Sequence, residues 1–130
     1  MARWHGISRR KSSGGRLKRP SRYRGKRRTE IASEKQHSLI GKPNRKVYRK
    51  RSGLQTVRIL ADEVINVNDP STGETKRATL ESVVENPADA NYVRRNIMTK
   101  GAVVQTDLGS VRITSRPGSA GVLNGVLLDE

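Results

Sequence analysis

The sequence predicts a mainly β protein: a small antiparallel, barrel-like domain with one short helix, preceded by a long basic N-terminal extension. Three observations carry that expectation. Residues 1–52 hold 19 of the 27 Lys and Arg but only Glu30 and Glu34 as acids, a net +17, whereas 53–130 carry a net −2. Apolar residues shift the other way, from 12 of 52 to 30 of 78. In the second segment those apolar residues recur at alternate positions between clusters of turn formers, the period of half-buried strands.

The extension is expected to be extended and, alone, disordered, because it has too little apolar surface to offset chain entropy. It carries Arg9-Arg10-Lys11, Ser12-Ser13-Gly14-Gly15, Lys18-Arg19-Pro20 and Lys26-Arg27-Arg28. Its glycines and Pro20 preclude a continuous helix. A second basic cluster follows at Arg45-Lys46 and Arg49-Lys50-Arg51, where Val47 and Tyr48 open a strand against the domain. The arm is set at 1–45 and the barrel-like domain at 46–130.

Within the domain, Val57, Ile59 and Ala61 alternate with Thr56 and Arg58, as a half-buried strand does. Ile65 and Val67 form the next, ending in the turn cluster Asp69-Pro70-Ser71-Thr72-Gly73, with a return strand over 74–79. Residues 86–101 hold the one helix: Asn86 is read as its cap, Pro87 as its first position, with Arg94-Arg95 late and Gly101 beyond. A second hairpin pairs 102–106 with 110–114 around Asp107-Leu108-Gly109. After a loop at 116–121, residues 122–128 make the last strand. About six short strands with frequent turns predict a small barrel or closed sheet.

The composition excludes much chemistry. There is no cysteine and there are only two histidines, His5 and His37, which removes thiolate nucleophiles, disulfides and the common zinc sites. Ser8-Arg9-Arg10-Lys11 has a Ser-x-x-Lys spacing but no burial to lower the lysine pKa. Gly41-Lys42 ends like a phosphate loop, yet Pro43 stands where a Ser or Thr would hold magnesium, and Gln36 where the opening Gly would be. Asp62-Glu63 reads as an exposed turn. The expectation is no enzyme, no cofactor, no metal and no small-molecule substrate. No apolar run approaches the ~18–20 residues that span a bilayer, and the N-terminus lacks a signal-peptide stretch. A cytoplasmic protein without a membrane partner is expected.

Phosphate binding is the chemistry that remains. Lys and Arg neutralise phosphates and release condensed counterions without needing a folded pocket, and the arginine fork grips phosphate or a guanine edge bidentately. The candidate RNA-binding residues are Arg3, Arg9, Arg10, Lys11, Arg16, Lys18, Arg19, Arg22, Lys26, Arg27 and Arg28 in the arm, then Lys42, Arg45, Lys46, Arg49, Lys50 and Arg51. Trp4, Tyr23 and Tyr48 lie among them. Trp4 and Tyr23 are read as stacking on unpaired bases, whereas Tyr48 has an equal alternative in folding back on the domain. Gly14 and Gly15 either let backbone approach a phosphate or serve as a plain hinge. RNA is favoured over duplex DNA because no helix-turn-helix, zinc-finger or basic-zipper pattern is present.

Several motifs resemble a known family. Ser8-Arg9-Arg10-Lys11-Ser12-Ser13-Gly14-Gly15-Arg16, Lys26-Arg27-Arg28-Thr29-Glu30-Ile31 and Thr75-Lys76-Arg77-Ala78 are similar in order and spacing to the small-subunit ribosomal protein eight of the archaeal and eukaryotic type. So are Asn86-Pro87-Ala88, Asn96-Ile97-Met98-Thr99-Lys100-Gly101 and Arg116-Pro117-Gly118. The resemblance implies a structural protein that binds small-subunit ribosomal RNA, with a β-barrel-like core, a basic extension and neighbouring ribosomal proteins as partners. The alternative is a free-standing architectural RNA- or DNA-binding protein.

Overall fold

In the computed structural model, which describes residues 10–18, 31 and 34–128, the chain divides into two units, Met1–Lys35 and Gln36–Glu130, each taken by itself. The second unit contains, among its described residues, nine strands and two short helices in the order β1 (Ser38–Ile40), β2 (Asn44–Arg49), β3 (Gln55–Asp62), β4 (Val64–Asn68), β5 (Thr75–Glu85), α1 (Ala90–Arg94), β6 (Ile97–Met98), β7 (Val103–Thr106), β8 (Gly109–Ile113), α2 (Pro117–Ala120) and β9 (Asn124–Leu127). The fold is mainly β, as the alternation predicts. Nine strands stand where about six were expected: β2 holds the strand expected at Val47 and Tyr48, while β1 and β6, of three and two residues, are too short to register as periodic.

Five strands close a barrel in the order β4-β5-β7-β8-β9. Four seams are antiparallel; the closing seam between β4 and β9 is parallel, with Val67 opposite Gly125. That parallel seam departs from the purely antiparallel barrel expected. The return strand also runs farther, through Glu85. Its first half pairs with β4 and its second half, through two register shifts, with β7. Such irregularities bend a strand and let one long element serve two neighbours in a tight barrel.

The interior is aliphatic, as a chain without Phe requires. Ile65, Val67, Ala78, Leu80, Val83, Val104, Val111 and Ile113 fill it, joined by Ile59, Met98, Ala102 and Leu123. The space is narrow at Gly125. A Cβ there would collide with Val111 Cγ1 and reach 3.0 Å from the Arg112 carbonyl.

Beside the barrel stands a second sheet, β2-β3-β1-β6, in which β1 runs parallel to β3. The chain passes from this sheet into the barrel at Glu63, directly between β3 and β4. Asp62 is not the exposed turn expected: it is 3% exposed. Its Oδ1 accepts from the Glu63 amide at 3.0 Å and the Val64 amide at 3.5 Å, and its Oδ2 accepts from Arg45 Nη2 at 3.0 Å. The carboxylate anchors the corner because the strand changes sheets there and its amides need a local acceptor.

The predicted helix is a single turn, and its cap differs. Asp89, not Asn86, caps α1, accepting from the Asn91 amide at 2.9 Å. Asn86 is buried instead. It donates to the Ile97 carbonyl at 3.0 Å and accepts from the Ala88 amide at 3.0 Å and Thr99 Oγ1 at 2.9 Å. A side-chain amide satisfies donors and acceptors at once, so it clips 86–88 to 97–99. A second turn, α2, lies where a plain loop was expected; Pro117 opens it and Gly121, at φ 71°, ends it. The last strand starts at Asn124, two residues later than expected.

Candidate nucleic-acid interface

The β2–β3 hairpin gathers much of the second basic cluster. Its register puts Lys46 opposite Arg58 and Tyr48 opposite Thr56. Residues two apart share a face, so Lys46, Tyr48, Arg58 and Thr56 stand together, while Ile59, on the other face, enters the core. Lys46 Nζ lies 5.3 Å and Arg58 Cζ 5.0 Å from the Tyr48 ring centroid, within the range of cation–π attraction. The Tyr48 hydroxyl donates to Gln36 Oε1 at 3.1 Å. The hydrogen bond with the Gln36 side chain first, then the positive charges of Lys46 and Arg58, which favour the ionised oxygen, hold its phenol below the ordinary value. Tyr48 is half-buried between cations, so its ring lies partly back on the domain.

At the tip, Lys50 makes the turn. Its amide donates to the Leu54 carbonyl at 2.8 Å and its carbonyl accepts from the Gly53 amide at 3.0 Å, with Gly53 at φ 84°. Arg49, Lys50 and Arg51 are exposed around it. The first unit repeats this geometry. There the Lys11 amide donates to the Gly15 carbonyl at 2.8 Å and the Lys11 carbonyl accepts from the Gly14 amide at 2.9 Å, with Gly14 also at φ 84°. Arg10 and Arg16 form the bridge that closes it, and Arg10 Nη1 donates to the Gly14 carbonyl at 2.9 Å. Lys-x-Ser-Gly makes both turns, since only glycine takes that φ without strain. Gly14 is thus a turn residue, with its Cα facing open space.

The remaining candidates divide cleanly. Arg10, Lys11, Gly14, Gly15, Arg16 and Lys18 belong to the first unit's described stretch and are exposed; Lys42 and Lys46 are exposed in the second. Arg45 is spent partly on structure through Asp62, although its side chain is still 53% exposed. Arg3, Trp4, Arg9, Arg19, Arg22, Tyr23, Lys26, Arg27 and Arg28 lie outside the described residues. Among the described residues of 36–62, Asp62 is the sole carboxylate, so Lys42, Lys46, Arg49, Lys50 and Arg51 have no acid close in sequence, and the Asp62 four residues beyond Arg58 is already paired with Arg45. Arg58 was missed as a candidate. Its signal was present: a cation between Val57 and Ile59 must face away from the core those residues enter. Among the described residues no group of three His, Asp or Glu is placed to hold a metal, and no helix is long and apolar enough to cross a membrane.

Fold and site together define a small basic β protein built to present cations. Residues 4–128 match the family described as Ribosomal protein S8e. The chain is 50% identical over 126 residues to the small ribosomal subunit protein eS8 of Methanospirillum hungatei, an alignment covering 97% of this chain and 98% of the relative. It is 47% identical to that of Methanoculleus marisnigri (96% and 98% covered) and 42% identical to that of Methanosarcina barkeri (98% and 99% covered). The chain belongs to the S8e family of ribosomal proteins, so its role is structural and non-enzymatic.

Proposed function

We propose that this protein binds and stabilises small-subunit ribosomal RNA through its basic N-terminal arm, residues 1–45, with the β2–β3 hairpin as a second grip. The observation that carries the reading is the paired Lys-x-Ser-Gly turns, each ringed by exposed arginine or lysine. Cations so displayed replace counterions along a phosphate backbone. The irregular arm suits folded RNA, where a segment rich in Gly, Pro and Arg orders on binding. The barrel carries the hairpin in the second unit, with neighbouring ribosomal proteins and the cytoplasmic ribosome as its setting.

Sucrose-gradient sedimentation of a lysate at moderate salt tests this directly. Almost all of the protein should travel with the small subunit; a free pool would favour a free-standing architectural binder. Deleting residues 1–28, which removes 12 of the 27 basic residues, should nearly abolish binding to small-subunit RNA while the strands stay folded. Unchanged affinity would overturn the arm-centred mechanism.

A further inference from the structure

The most specific resemblance motifs, Asn86-Pro87-Ala88, Asn96–Gly101 and Arg116-Pro117-Gly118, lie far from the basic hairpin turn in sequence, yet they meet at one open cleft of about 650 Å³. Its floor is backed by Ile97, Met98 and Pro117, which are themselves buried and hold it rigid. Its rim is cationic, with Lys100 and Arg116 beside the half-buried His37 ring, and no carboxylate is among the lining residues. Neither Lys100 nor Arg116 has an ion-pair partner among the described residues. The Ser119 side chain, on the same rim, is exposed.

The walls are held still. Asn86 clips the 97–99 segment as described, the Gly101 amide donates to the Ile113 carbonyl at 2.7 Å, and the Ser119 amide donates to the Arg116 carbonyl at 2.9 Å. The His37 ring is braced by Tyr92, with centroids 5.1 Å apart and planes tilted by 59°. A fixed, partly exposed aromatic ring and unpaired cations around a concave space are what a flat base carrying a phosphate requires. A continuous A-form duplex offers only its convex backbone to such a cleft and would leave the His37 ring unstacked.

We propose that this cleft receives one unpaired nucleotide of RNA, its base stacked on the His37 ring and its phosphate held by Lys100 and Arg116. The inference rests on the RNA-binding reading above but adds a pocket that the two basic turns do not line.

Amide NMR of the full-length ¹⁵N-labelled protein titrated with the single-stranded RNA hexamer A6 tests it. The amides of Lys100, Gly101, Gly118 and Ser119 should shift with A6, and a variant carrying Lys100→Ala and Arg116→Ala should lose those shifts while Lys46–Leu54 still respond. Both side chains are exposed, so the variant keeps its fold, and dispersion of its remaining amides checks that. Polyphosphate and polyglutamate should occupy the cleft at least tenfold more weakly than A6. If either binds there as tightly, the site takes a bare anion or an acidic peptide and the nucleotide assignment is overturned. If the hairpin responds while the cleft stays silent, the cleft inference fails and the RNA reading survives. Silence at both would remove the RNA reading as well.

Discussion

Arg45 Nη2 donates to Asp62 Oδ2 at 3.0 Å, tying strand β2 to the point where β3 leaves its sheet for the barrel. The carboxylate is almost fully enclosed, 4% exposed by side chain, while the guanidinium is half in water. Removing the arginine leaves a buried charge with only the Glu63 and Val64 amides as donors. Arg45→Ala should therefore cost about 1–3 kcal/mol of stability, read from urea unfolding of the free protein. Lysine at 45 should restore part of it, since an ammonium supplies charge without the fork. A variant as stable as the parent would mean that the pair is held by the strands and adds nothing.

The barrel has no room at Gly125, where a methyl group would strike Val111 and crowd Ile65. Gly125→Ala should destabilise by ~1–3 kcal/mol through overpacking. A smaller side chain at the obstructing position, Val111→Ala, should recover part of that loss in the double variant, although alone it opens a cavity and also destabilises. Thermal unfolding of the four proteins checks the coupling, and strict additivity would exclude a shared contact.

The two basic turns should report as separate phosphate grips. Replacing Arg49, Lys50 and Arg51 with alanine should flatten the log–log dependence of RNA affinity on salt by about 2–3 units, at ~0.7–0.9 per phosphate contact. The same change at Arg9, Arg10 and Lys11 should do likewise, and the two effects should add if the turns touch different phosphates. An unaltered slope in either triple variant would place that cluster in solvent.

Tyr48 is expected to act through its ring. Tyr48→Ala should weaken RNA binding by ~1–3 kcal/mol while leaving the salt slope nearly unchanged; Trp4→Ala should behave the same way. A fall in slope for Tyr48→Ala would show that the ring mainly positions Lys46 and Arg58, the cations beside it.

The β4–β5 turn carries a pH signature. Asp69 accepts from the Ser71 hydroxyl at 2.7 Å, the Ser71 amide at 2.9 Å and the Thr72 hydroxyl at 3.0 Å, and these bonds, Ser71 first, hold its carboxyl below the usual value. A depressed carboxyl contributes stability that is present above its unfolded value of ~3.9 and is lost as pH falls through the folded one. Ser71→Ala should move the Asp69 titration upward, followed by carboxyl NMR, and hairpin amides should loosen at a correspondingly higher pH. An unmoved midpoint would show that the hydroxyl bond is not what lowers it.

Local pattern made much of the barrel legible. Val57, Ile59, Ile65, Val67 and the 102–114 hairpin alternate because one face of each strand is buried, and that constraint is written residue by residue. The turn at 69–73 and the Gly109 hairpin were visible for the same reason: their backbone angles demand particular side chains. The short strand Ser38–Ile40 was not legible, since three residues carry no period and it exists only because β3 and β6 flank it. Asn86 was misread because Asn before Pro looks like a cap. Besides the nearby Ala88 amide, its partners Ile97 and Thr99 are more than ten residues away.

The sequence by itself determined the charge, the aliphatic core and the positions of most strands, because each follows from composition or from a period of two. Tertiary structure alone decided that β4 closes on β9 in parallel, that Asp62 is buried against Arg45, and that Ala88 and residues 97–101 and 116–119 border one cleft. The closing seam joins residues 58 positions apart, such as Asn66 with Asn124. Such pairings are set by how strands compete to satisfy backbone groups and fill one narrow core, a condition on the whole chain that no local stretch contains.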